Sequence, residues 1–281
     1  MKRTLLALGS LILSCLILCS PALAQTPSLN RVLWIWLENV SDNQMVQQKF
    51  TQSLLKKYPS VHFTNFKPTS PVTQADVVSM ISGYDQGVAS NTTLKLLAPS
   101  LVDLLMSRNI SWRVYSEDYP GSCYLGDSIG NYYRYRNPFA SITAVQSDRF
   151  RCMNLVNFSN YTSDIKFSTM PKLMVVIPGL ASSGGSTNAA TADGMLSTLL
   201  TPMINAGNLG NTTVIVSTTS TTNPSAPVFT MILGQGVSKV GQSVSTSYNH
   251  YNLLRTIEEG FGLGNLNQQD ASSSPMSGFW N

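Results

Sequence analysis

Two short stretches carry side chains suited to chemistry. Glu38 and Asn39 follow directly on the apolar run Val32 to Leu37. A carboxylate and an amide at the carboxyl end of a buried strand sit where open α/β sheets place their ligands, and both offer oxygen to a hard cation. The same pair can equally start a turn and cap the helix behind it. The second stretch, Pro71-Val72-Thr73-Gln74-Ala75-Asp76, leads into the helix-like run Val77 to Ser82 and stops at Gly83. Thr73 reads there as an N-cap with Asp76 three residues on. Its hydroxyl can satisfy an orphan N–H, or act as a nucleophile on a phosphoryl group held against the helix end.

These residues need a frame to hold them. β-Branched runs at Arg31 to Leu37, Trp112 to Tyr115, Leu173 to Ile177, Thr213 to Ser217 and Val228 to Leu233 alternate with helical patterns. Such alternation predicts an α/β domain on a central, largely parallel sheet. A first helix is expected from near Ser41, with Val46, Phe50 and Leu54 on one face. Another starts at Ser100, where Ser100 and Asp103 resemble a capping box ahead of Leu101, Leu104 and Leu105. The clearest helix runs from Tyr251 to Glu259, with Leu253, Leu254 and Ile257 in one stripe and Gly260 able to end it.

The first 24 residues read as a secretory signal peptide. Lys2 and Arg3 precede the apolar run Leu5 to Cys19, and Ala22-Leu23-Ala24 offers a small-x-small cleavage site before Gln25. That run is short for a membrane span, and no later stretch is long and apolar enough to cross a bilayer. The expected organisation is a leader over 1–24, an α/β domain over 25–269 and a Ser-rich surface tail over 270–281. Export places the protein in the periplasm or outside the cell. Only 11% of the residues are charged, against a formal net charge of +4 that includes Lys2 and Arg3. The scattered Lys and Arg give no basic footprint for nucleic acid. Cleavage would leave two cysteines, Cys123 and Cys152, which in an exported chain are expected to pair. The absence of a CxxC and the presence of only two histidines argue against a zinc site.

In order along the chain, five segments carry a resemblance. Leu33 to Asn39 looks like a strand ending in Glu-Asn, and Thr73 to Gly83 like a Ser/Thr nucleophile with its helix and a terminal Ser-Gly. Ser111 to Pro120 (SWRVYSEDYP) is similar to a Trp-x-x-Tyr-x-Glu-Asp segment. Tyr132 to Phe139 (YYRYRNPF) is similar to Tyr-x-Arg-Lys-His-Asn-Pro-Phe. His250 to Leu263 (HYNLLRTIEEGFGL) closely matches His-Tyr-Ser-Leu-Leu-Arg-Thr-Ile-Glu. Together they resemble the secreted phosphoesterases that include acid phosphatases and bacterial phospholipases C, within the alkaline phosphatase superfamily. The resemblance covers about Arg31 to Phe261. It implies a three-layer alkaline phosphatase-like sandwich and hydrolysis of phosphate esters by a metal-assisted Ser/Thr nucleophile. The implied roles are Thr73 as nucleophile and Glu38 and Asn39 as ligands of a divalent metal.

The other ligand positions depart from that pattern. Where the family carries Asp-x-His after a strand like Leu173 to Pro178, this chain has Ser183 and Gly185. Where an Asp-Glu pair follows the strand at Thr213 to Val216, it has Ser217-Thr218-Thr219-Ser220. The family histidine before Asn-Pro-Phe is Arg136, and Ala75-Asp76 stands for Pro-Asn after the nucleophile. Neutral hydroxyls cannot offset a cation's dehydration as carboxylates do, so weak or absent metal binding is expected. Arg136 can instead hold an anion near the helix end, or form a surface salt bridge. His250 can face the site or serve the helix start. Asp193 falls beyond the site in this alignment. Three roles remain: a phosphoesterase with a rearranged site, a non-catalytic relative binding an anionic ligand, glycan or protein partner, and a structural protein. Intact caps beside lost ligand positions favour the second.

Overall fold

The computed structural model describes residues 27–185, 188–220 and 225–281, so the leader segment lies outside the described residues. Its framework is an eight-stranded sheet. The strands are β1 (Val32–Glu38), β2 (Ser60–Phe63), β3 (Trp112–Ser116), β4 (Leu155–Asn157), β5 (Leu173–Ile177), β6 (Thr213–Thr219), β7 (Thr230–Gly234) and β8 (Gln242–Val244). Their spatial order is β8-β2-β7-β6-β1-β5-β3-β4. Only the two pairings of β7 are antiparallel. The link from β6 back to β7 is too short for the crossover that a parallel neighbour requires.

Among the helices are α1 (Asp42–Met45), α2 (Lys49–Lys57), α3 (Thr73–Ser82), α4 (Leu101–Ser107), α5 (Ser159–Lys166), α6 (Ala189–Asn205), α7 (His250–Gly260) and α8 (Gln269–Ser272). They cover both faces of the sheet. Because side chains alternate along a strand, Val32, Trp34 and Trp36 of β1 join one core with α3, α4 and α7. Leu33, Ile35 and Leu37 join the other with α2, α5 and α6. Burial on both faces is why β1 is continuously apolar rather than alternating. The result is the expected three-layer α/β sandwich.

Local signals explain several element ends. The Ser100–Asp103 capping box forms, with Asp103 accepting from both the amide and the hydroxyl of Ser100 at 3.0 Å. Asn249 caps α7 through Tyr251 and Asn252, and Leu253, Leu254 and Ile257 are buried as predicted. Gly260 is needed for a reason other than ending the helix. It lies within α7, and a Cβ there would collide with Leu29. Gly83, by contrast, does end α3 in the left-handed region at φ 76°.

Two expectations are corrected. The helix expected from Ser41 is broken into α1 and α2, because Asp193 reaches over from α6 to the second helix's first turn. Its carboxylate accepts from Phe50 N at 2.9 Å and from Thr51 N and Oγ1 at 2.8 Å, so α2 has its own N-terminus. The segment 270–281 is no surface tail. Asp270, Met276, Phe279 and Trp280 are buried, and Phe279 meets Phe63 edge-on with ring centroids 5.3 Å apart. The serines set the composition of this stretch, but its apolar residues close the core. Cys123 and Cys152 are joined by a disulfide. No helix among the described residues is long and apolar enough to cross a membrane.

Candidate active site

β1 ends at Glu38, in register with Thr219 at the end of the parallel neighbour β6. The next residue on each strand turns through the left-handed region, Asn39 at φ 55° and Ser220 at φ 37°. The start of α3 brings Thr73 to the same end of the sheet. Its Oγ1 donates to Glu38 Oε1 at 3.1 Å and lies 3.0 Å from Ser220 Oγ. Thr73 is therefore not the N-cap. Val72 holds that position, and Thr73 is the first residue of α3, its hydroxyl turned to the strand ends instead of to its own helix.

The second oxygen of Glu38 belongs to Arg136. Arg136 Nε donates to Glu38 Oε2 at 2.7 Å, Nη1 to Pro178 O at 2.7 Å and Nη2 to Ser183 Oγ at 2.8 Å. With Glu38 only 4% and Arg136 only 7% exposed, this is a buried ion pair. It excludes the surface salt bridge as the role of Arg136. The guanidinium is committed to the strand ends, with Glu38 between it and Thr73. Asn39 makes its bond elsewhere. Its amide donates to Gly185 O at 3.2 Å, tying the end of β1 to the loop after β5.

His250 stands one tier back. Its Nδ1 lies 3.0 Å from Asp76 Oδ1 with both side chains fully buried, and its ring meets Phe66 edge-on at 5.1 Å. Asp76 is the residue the sequence reading undervalued. It accepts from Thr69 N at 2.7 Å, Thr69 Oγ1 at 2.6 Å and Ser220 N at 2.8 Å as well as facing His250. Burial alone would raise its pKa. The charge of His250, with hydrogen bonds from His250, Thr69 and Ser220, outweighs burial and holds it below the usual carboxylate value. The available signal was a lone acid inside an otherwise apolar helix stretch, which must find partners to be buried.

The side chains bonded to Thr73 are thus one carboxylate already neutralised by Arg136 and the hydroxyl of Ser220, while the Ser183 hydroxyl serves Arg136 and the Asn39 amide serves Gly185. A divalent ion such as magnesium or calcium asks for several oxygen ligands with substantial negative charge, and a catalytic zinc asks for three protein ligands from His or carboxylate. The residues present do not fit such an ion. Among the described residues no group of three His, Cys, Asp or Glu side chains is placed to hold a metal. What the arrangement does offer is a hydroxyl at a helix N-terminus, hydrogen-bonded to a carboxylate. On the loop after β5 a cavity of about 410 Å³ is lined by Glu117, Asp118, Tyr133, Leu180, Ser182 and Gly185.

Residues 60–264 match the model of the phosphoesterase family. The chain belongs to that family. Among the phosphoesterases it resembles are a phosphate-repressible acid phosphatase from Penicillium chrysogenum and an acid phosphatase from Aspergillus niger. The first is 24% identical over 87% of this chain and the second 25% over 88%, and each match covers 62% of the relative. The chain therefore spans under two thirds of the length of those relatives. A Vibrio parahaemolyticus protein of the alkaline phosphatase superfamily shares its fold. The match has a TM-score of 0.57 at 10% identity and covers 90% of this chain and 72% of that one.

Proposed function

We propose that this phosphoesterase-family chain binds a phosphate ester or related anion at the N-terminus of α3, with Thr73 as the contacting hydroxyl, and turns it over weakly or not at all. The observation behind this reading is that Glu38, the carboxylate that touches Thr73, is already neutralised by Arg136. The site offers an anion a helix N-terminus and hydroxyl donors. It offers a metal too few charges, and without a Lewis acid little stabilises the charge developing on a phosphoryl group under attack. The phosphate-ester class rests on the family and on the acid phosphatases among its relatives.

A second reading, active hydrolysis by Thr73 through the rearranged site, draws on one observation. Thr73 Oγ1 donates to Glu38 at 3.1 Å, within the reach expected of a nucleophile and its base. Binding of inorganic phosphate and a phosphate monoester to the purified protein, alongside mono- and diester hydrolysis, separates the two. The first reading expects binding that weakens in Thr73→Ala, with hydrolysis near background. Rapid hydrolysis abolished by Thr73→Ala would overturn it in favour of the second.

The signal-like N-terminus and the Cys123–Cys152 bridge support export. N-terminal sequencing of the protein recovered outside the cytoplasm tests this. A mature chain starting at Gln25 is the expected result.

A further inference from the structure

We infer that Arg136 is the resident cation of this site, and that its guanidinium and a divalent metal ion exclude one another there. This goes beyond the binding proposal and does not require any anion to bind. A buried carboxylate at the end of an apolar strand needs a counter-charge, and Glu38 has one built into the chain. The guanidinium grips three positions at once: Glu38 at the end of β1, the Pro178 carbonyl that follows β5, and the Ser183 hydroxyl in the next loop. Those bonds satisfy the fork geometry of arginine, which a point-like ammonium could not reproduce.

The exclusion follows from charge and occupancy. Glu38 Oε2 already accepts from Arg136, and Oε1 accepts from Thr73. A metal bound to either oxygen would sit within a few ångströms of the guanidinium charge. Ser183 meets the same guanidinium, so its hydroxyl is committed as well. Asp76 cannot relieve the shortage, since Thr69, Ser220 and His250 already occupy its oxygens. The site thus keeps a positive charge that a chelator cannot remove.

Titration of the purified protein with Mn²⁺ and with Zn²⁺, followed by calorimetry and by melting temperature, tests the inference directly. The wild type is expected to bind neither ion stoichiometrically at the site and to melt at the same temperature with or without EDTA. Arg136→Ala frees Glu38 from its counter-charge and is expected to bind either ion at least about tenfold more tightly than the wild type does, while one carboxylate still leaves that binding weak. Should Arg136→Ala not fold, the double variant Glu38→Gln/Arg136→Met removes both charges together. It is expected to fold and to stay indifferent to metal, since replacing a whole buried pair is far better tolerated than breaking it. Stoichiometric metal binding by the wild type that is lost in Glu38→Gln would overturn the inference. So would a folded Arg136→Ala protein with no gain in metal affinity. Neither result depends on phosphate binding, so failure here is distinct from failure of the binding reading.

Discussion

The carboxylate of Asp76 and the imidazole of His250 meet at 3.0 Å with neither side chain reached by solvent. The pair joins α3 to α7. Because Asp76 also accepts from Ser220 N, it fixes the left-handed turn that presents Ser220 Oγ to Thr73.

Removing one partner of such a buried pair leaves the other unsatisfied. Asp76→Asn should destabilise the protein by about 3–5 kcal/mol, read as a lower urea midpoint. The wild type also carries a pH signature. Asp76 is held below its ordinary value of 3.8. Its contribution is therefore complete above about pH 3.8 and disappears as the pH falls through the lower, folded-state value. Urea titrations at successively lower pH should show an acid-side loss of stability that Asp76→Asn lacks.

A carboxyl far from the site behaves in the opposite sense. Glu258 on α7 is buried beside Asp270, and burial, with the charge of Asp270 adding to it, raises its pKa to about 9. The folded protein therefore keeps a proton that the unfolded chain releases. This group's contribution is full below about pH 4.5 and is lost as pH rises toward 9. Glu258→Gln should flatten the fall in stability between those pH values, measured by chemical denaturation at fixed salt.

Reduction of the Cys123–Cys152 bridge, which closes a loop with a sequence separation of 29, should cost on the order of 3 kcal/mol in the chain-entropy model. The same loss should appear in a Cys123→Ser/Cys152→Ser variant without reductant. Melting curves of both preparations check this.

The C-terminal segment is open to a similar test. Phe279 is fully buried against Phe63 and Trp280, so Phe279→Ala should lower stability by about 3–5 kcal/mol. A surface tail would give almost no change in the denaturation midpoint.

What the sequence made legible was local. The unbroken apolar run of β1, the Ser100–Asp103 box and the Leu253-Leu254-Ile257 stripe each carry their signal within a few residues, and each forms as expected. The order of motifs also placed Thr73 and Glu38 at one end of the sheet. What stayed hidden is settled between residues distant in sequence. Asp193 breaks the first helix from the far side of α6. Arg136 finds Glu38 across most of the N-terminal half. Asp76, read as one member of a helix start, draws partners from a preceding loop, the end of β6 and the start of α7. Periodicity and capping rules see only neighbours along the chain, so none of these pairings had a local trace. The Ser-rich stretch after Asp270 misled for a related reason, since average composition hid the spacing of its few apolar residues.

The pairing of β1 has a consequence for how the chain reaches its native state. Val32 lies beside Leu173 on one side and Thr213 on the other. The innermost strand is the first to be synthesised, yet both of its neighbours arrive late. Long loops must close before its hydrogen bonds are made, which slows folding and raises contact order. Until Leu173 emerges, an apolar strand with two open edges waits unpaired, and one edge stays open until Thr213 follows, the kind of segment that associates with other chains. Expression yield should therefore respond more sharply to substitutions that slow closure around β1 than to changes at the charged cluster beyond its end.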